Sequence, residues 1–295
     1  MPPGDPPAHN VLGGGRMRRR VYRIFCLLDL VAQTAGCLDR PPDLPGVAPA
    51  CRTGSNGGPR PAVGWPNEPA GFTVLSDAPF TALNANGWRA VQRTTTNGSG
   101  VVVTSDSTAP MSPLAVLQFT YGVGFPGGYT PAAVFYDPPA HPKDTYFAFW
   151  WKPSDPWQNN SPSDVNKIAF MFSASRADIF LMMFGTGGAY TIRVAPEVPG
   201  DVRRLDPNVT ATAVTLGMWH RIEWHLRYNT SPTLRDGVTE WWLDGVLQGR
   251  YADLHLPDDA GIQEYQLAPT WGGVGDTKRE TDCYWYDHAR VSAAP

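Results

Sequence analysis

The stretch Trp219-His220-Arg221-Ile222-Glu223-Trp224-His225-Leu226-Arg227-Tyr228 gathers an unusual density of chemically able side chains. Its alternation of apolar and polar residues is that of a β-strand, in which successive side chains point to opposite faces. One face then carries His220, Ile222, Trp224, Leu226 and Tyr228, and the other Trp219, Arg221, Glu223, His225 and Arg227. The second face sets an imidazole between two guanidiniums. Imidazole titrates near neutrality and moves protons, while guanidinium pairs with carboxylates. These are the groups needed to draw a proton from a carbon beside a carboxylate. His225 or Tyr228 would be the base and Arg221 the neutraliser. The alternative for His225 is an ion-paired or solvated strand residue. Lys167 in "VNKIAFMF" and Arg193 in "YTIRV" add cations on strands of their own. Other catalytic signatures are missing. No G-x-S-x-G, P-loop, dinucleotide fingerprint or zinc-spaced Cys/His cluster occurs. The six glutamates form no E-x-D-x-x-E string of the kind that sets two carboxylates about 5 Å apart for glycoside hydrolysis.

A second chemistry is suggested by eleven Trp and eleven Tyr. Sugar rings stack on half-exposed aromatic faces. In the adjacent pairs Trp150-Trp151 and Trp241-Trp242 one ring of each must point away from a core. Trp242, Trp157 in the polar loop "KPSDPWQNNSPSDVNK" and Trp271 in a Gly-rich loop are therefore candidate ligand contacts. So are Lys167, Arg193, Arg221, Glu223, His225 and Arg227. Packing between sheets is the competing role for each Trp. No metal site is expected as such. Asp244, Asp258, Asp259, Asp276 and Asp287 supply hard oxygen ligands of the kind Ca²⁺ takes, without EF-hand spacing.

The elements that must position these groups are strands. The chain has 295 residues, 30 Gly and 30 Pro, with 42% apolar and 17% charged residues. Breakers at that density exclude long helices, and the apolar fraction suffices for a packed core. From residue 71 onward, apolar segments alternate with turn clusters such as Gly185-Thr186-Gly187-Gly188, Asp236-Gly237 and Asp244-Gly245. About twelve strands and no amphipathic helix are expected, which suits a two-sheet sandwich. The net charge is −3, only Lys143, Lys152, Lys167 and Lys278 are lysines, and no basic stripe follows the N-terminus. A nucleic-acid partner is therefore excluded.

Residues 1–37 read as an N-terminal extension followed by an export segment. Met17-Arg18-Arg19-Arg20 begins a basic region, residues 24–32 (IFCLLDLVA) are mostly apolar, and Thr34-Ala35-Gly36-Cys37 follows. That is the layout of a secretory signal. It also resembles a lipoprotein signal, in which Cys37 would carry the lipid tether. Met17 is the expected start of translation, and the mature protein is expected outside the cell or in its envelope. Residues 38–70 are Pro/Gly-rich and read as a linker. Cys51 and Cys283 remain, either as a disulfide of an exported domain or as two thiols.

The run "MWHRIEWHLRYN…DGVTEWWLDGVL" resembles the concanavalin A-like lectin/glucanase superfamily, which includes laminin-G-like modules and several polysaccharide lyases. Those proteins share a G-x-W-H-x-(apolar)-E strand followed by an (apolar)-W-(apolar)-D-G hairpin. "LQFTYGVGFPGG" and "TWGGVGDTKRETDCYWYDHARVS" resemble an early and a closing strand of the lyase-like members. The resemblance spans about residues 71–293. It implies an all-β jelly roll of two antiparallel sheets whose concave face commonly binds sugar chains. The function expected first is carbohydrate recognition, the alternative is a lyase cleaving acidic polysaccharide by β-elimination, and the third is an adhesive laminin-G-like surface protein. Where such lyases carry a Q-x-H pair, this chain has Asn166-Lys167-Ile168.

Overall fold

The computed structural model describes Cys51 and residues 63–295, apart from 95, 175–176 and 257–259. The export segment with Cys37, most of the linker, Asp258 and Asp259 lie outside the described residues. Fifteen strands form among the described residues. They are β1 (Thr73–Ala78), β2 (Trp88–Gln92), β3 (Gly100–Thr104), β4 (Val116–Tyr121), β5 (Ala132–Tyr136), β6 (Asp144–Pro153), β7 (Val165–Ser173) and β8 (Asp178–Thr186). The rest are β9 (Ala189–Val198), β10 (Asp201–Val202), β11 (His220–Arg227), β12 (Gly237–Leu243), β13 (Val246–Leu254), β14 (Ile262–Leu267) and β15 (Asp282–Ala293). Among the described residues the only helical turn is Thr96–Gly98.

The strands make two antiparallel sheets. The first runs β13-β12-β11-β6-β15-β4-β3, with β1 also paired to β15; the second runs β10-β9-β8-β7-β14-β5-β2. They pack face to face as the expected jelly-roll sandwich. Trp151, Trp224, Trp241, Tyr265, Tyr284 and Tyr286 lie fully buried between them. Trp241 Nε1 donates to the Ile192 carbonyl at 3.0 Å, tying one sheet to the other.

The outer face of the first sheet is covered as well. Trp150 points away from Trp151, as alternation requires, but enters a second cluster with Trp219, Trp285, Val116, Ala109, Cys51 and Cys283. Cys51 and Cys283 form a disulfide with Cα atoms 5.9 Å apart. Residues 63–72, read from sequence partly as linker, lie along this face. Gly64 O accepts from Arg221, Asn67 donates to Glu223, and Glu68 pairs with Arg290. The loop after β3 completes the cover. Its Asp106 pairs with buried Lys152, whose ammonium stands 5.0 Å and 4.6 Å from the rings of Trp219 and Trp285.

Candidate functional site

The side chains singled out in the sequence divide into three places. Arg221, Glu223, His225, Arg227 and Trp242 share the outer face of the first sheet. There Arg221 Nε binds Glu223 Oε1 at 2.8 Å, and Glu223 also accepts from Tyr146 OH at 2.7 Å and Asn67 N at 2.9 Å. Glu223 is wholly buried and Arg221 nearly so. His225 bridges two carboxylates, Asp144 at 2.7 Å and Glu240 at 3.2 Å, with the Phe72 ring beside it. Burial alone would lower the His225 pKa. The hydrogen bonds and charges of Asp144 and Glu240 outweigh it and raise the pKa. Tyr228 faces the opposite way, into the inter-sheet core, so it does not meet His225. This set is an ion-paired, covered surface, and an imidazole held between carboxylates is poorly placed to accept a further proton.

Trp157 and Trp271 occupy the second place, one end of the core. Trp157 stacks on Tyr284 with centroids 4.2 Å apart and donates to Asn166 Oδ1 at 3.1 Å. Trp271 is fully buried and donates to Gln158 O at 2.9 Å. Lys278, its pKa pushed down to about 8 chiefly by burial, lies 3.9 Å and 4.4 Å from these two rings and pairs with Asp282. These side chains fix the loops rather than present themselves to a ligand. The aspartates considered for calcium are likewise engaged. Asp244 holds His220, Asp287 accepts from Met111 N and Ser112 N, and Asp276 accepts from Ser161 and Thr277. Among the described residues no three His, Cys, Asp or Glu side chains converge as a metal site.

Lys167 and Arg193 occupy the third place, the outer face of the second sheet, and here a groove exists. β7 and β8 read "VNKIAFMFS" and "DIFLMMFGT", apolar on both faces. One face enters the core through Ile168, Met171, Ile179, Leu181 and Met183. The other makes a separate cluster of Val165, Phe170, Phe180 and Met182 with Phe135 of β5 and Ala195 of β9. Cations lie on its rings. Lys167 Nζ is 4.0 Å from the Phe180 centroid, Arg193 is 3.9 Å from Phe184, and Arg89 is 3.7 Å from Phe135. Three cation–aromatic contacts thus form a stripe running across the strands, a stabilising arrangement that leaves the charges toward solvent.

A depression of about 410 Å³ opens along this face. Lys167, Phe180, Ala195 and Arg204 line it from β7 to the edge beyond β10, with Glu197 and Arg203 at one end and Ser163, Gly272 and Gly273 at the other. Ala195 is the short side chain that makes the dip. Arg193 is paired with Asp206 at 2.7 Å, and Arg203 with Asp201 and Asp253. Lys167 and Arg204 have no carboxylate partner among the described residues. Asp178 sits in register with Glu197. Burial pushes its pKa up to about 6, Lys167 opposing and Glu197 reinforcing the shift. The groove therefore offers two uncommitted cations over an apolar floor, the setting that suits a carboxylate-bearing chain.

Sequence reading found Lys167 and Arg193 but missed the phenylalanine floor, Ala195, Glu197, Asp178, Arg203 and Arg204. The signal was present. An antiparallel strand that is apolar on both faces needs a cover or a ligand for its outer side.

No family model matches the chain, and no curated protein matches it. Solved structures do. An endo-β-1,4-glucuronan lyase from the fungus Trichoderma reesei superposes with a TM-score of 0.52 at 17% identity, over 74% of this chain and 94% of that one. The alginate lyase Aly36B, as a double mutant holding an alginate trisaccharide, gives 0.51 at 12% identity, over 76% of this chain and all of that one (100%). At these identities the likeness is one of fold: this chain has the two-sheet jelly roll that these lyases also have.

Proposed function

We propose that the protein takes an acidic polysaccharide along the outer face of the second sheet and cleaves it by β-elimination. The observation that carries this reading is Lys167, an ammonium held over Phe180 beside an open groove with no carboxylate partner among the described residues. β-Elimination needs a cation on the uronate carboxylate and a base at the adjacent carbon. Lys167 and Arg204 supply the cations on either side of Ala195. Glu197, with Asp178 beside it, is the group that would take the proton; the C–H electron pair becomes the carbon–carbon double bond as the glycosidic C–O bond breaks, and the departing oxygen takes a proton from solvent water. The likeness of fold to a glucuronan lyase and an alginate lyase supports a uronate chain as the substrate class. The Cys51–Cys283 disulfide supports the further proposal that the protein is exported through residues 17–37, since such bonds persist in oxidising compartments.

A second reading, recognition without cleavage, is favoured by one observation: neither Tyr nor His is among the described residues lining the groove. One assay separates the two. Purified protein is incubated with glucuronan and with alginate, and the ultraviolet absorbance of the unsaturated product is followed. A steady rise that Lys167→Ala lowers roughly 10²-fold is the result expected. A flat trace with polymer still bound leaves recognition alone. No binding to any uronate polymer overturns both.

A further inference from the structure

A second groove, also of about 410 Å³, opens at the end of the sandwich. Arg93, just past β2, forms one wall; residues 124–130, between β4 and β5, form the other. Its floor is Phe125, buried against the core, and its rim is Tyr129, which is 59% exposed. Arg93 is exposed and has no carboxylate partner among the described residues. An apolar floor, a solvent-facing ring and an uncommitted guanidinium are what a sugar bearing a carboxylate requires: a face to stack on and a charge to meet.

Only a paired loop divides this groove from the first. Tyr129 bridges to Trp271, and Gly128 N donates to Trp271 O at 2.8 Å. The next residues, Gly272 and Gly273, line the first groove. The two loop segments approach closely at their glycines. A Cβ on Gly127 would stand 2.4 Å from Gly273 O, and one on Gly128 would stand 3.1 Å from Val274 Cγ1. The ridge is therefore a close pairing of Gly127 and Gly128 with Gly273, with the exposed Val274 beside it. A chain that leaves the first groove over it arrives at Tyr129 and Arg93.

We infer that the end groove is a distal subsite for the same acidic chain, stacking one sugar ring on Tyr129 and pairing its carboxylate with Arg93. The inference rests on the reading that the first groove holds such a chain.

The test is chain-length dependence. Wild-type protein, Arg93→Ala/Tyr129→Ala, Tyr129→Phe and Lys167→Ala are titrated with oligouronates of graded length, and Trp fluorescence is read by stopped flow before turnover. Wild-type affinity is expected to rise with length. The double variant should lose roughly tenfold on the longest chains and nothing on the shortest. Tyr129→Phe should retain most of the gain, because the ring remains. Lys167→Ala should weaken every length alike. A double variant that follows wild type at every length overturns the distal subsite while leaving the first groove standing. A wild type that binds no oligouronate overturns both. Thermal melting checks that each variant is folded.

Discussion

At the scale of single residues, pairing separates the useful cations from the structural ones. Arg221 and His225 carry the right charges but spend them on Glu223, Asp144 and Glu240. Lys167 lies on an aromatic ring with its charge outward. Alternation along a strand reports which residues share a face, and it was read correctly for β11; it could not tell that Lys167 and Arg193 lie on the other sheet. It does not report what lies on that face, because residues 63–72 come from more than 140 positions away; Asn67, for example, is 156 residues from Glu223. Ala195 is the residue whose size makes the groove, and it is packed among the phenylalanines, so Ala195→Phe should abolish uronate binding at temperatures where the variant is folded, at an overpacking cost of about 1–3 kcal/mol in stability. Binding that survives in the Phe variant would place the ligand elsewhere. His225 gives a pH prediction. Its folded pKa is raised above its usual 6.5. The stability it contributes is then complete below the unfolded value and lost as pH rises through the folded one. The stability difference between wild type and His225→Gln should be larger at mildly acidic than at alkaline pH, by urea denaturation at each. Equal differences would contradict the charged bridge.

At the scale of elements, β11 and β7 make the contrast. β11 looked the richer strand because its outward face is charged, yet it is central in the first sheet, paired with β6 and β12 and roofed by the N-terminal segment. Glu223 there satisfies four donors in a buried site, two of them from Asn67. Glu223→Ala should cost about 3–5 kcal/mol, since it removes the carboxylate that balances the buried Arg221 and the acceptor for Tyr146 and Asn67. At temperatures where the variant is folded, polysaccharide binding should be unchanged; a matched loss of binding would return the site to β11. β7 looked like an ordinary core strand with one lysine. Its doubly apolar pattern was the signal of a second surface. Strands such as β10 and β13 escaped notice because two residues, or a run broken by Gly249 and Arg250, carry too little periodicity to read.

At the scale of the whole molecule, the sandwich and its turns were legible because Gly/Pro punctuation and alternating hydrophobicity are local. The roof over the first sheet was not, since it is made by contacts distant in sequence. The disulfide fastens that roof to β15 across a separation of 232 residues. On chain entropy alone such a closure contributes about 5 kcal/mol, and measured values run at about 2–5 kcal/mol. Cys51→Ser/Cys283→Ser should lower the urea midpoint accordingly and expose residues 63–72 to protease before the rest of the domain. An unchanged midpoint would mean that the Glu68 ion pair and the hydrogen bonds of Asn67 and Gly64 hold the roof unaided.

β15 takes β6 along one edge and both β4 and β1 along the other. The strand that joins the two halves of the first sheet is thus the last of the described strands in chain order. Until residues 282–293 leave the ribosome, the earlier strands of that sheet have raw edges and no common partner, and Cys51 has no Cys283 to meet. Closure of the first sheet therefore waits on β15, and until it arrives the unpaired edges of β4, β6 and β1 are open to other chains.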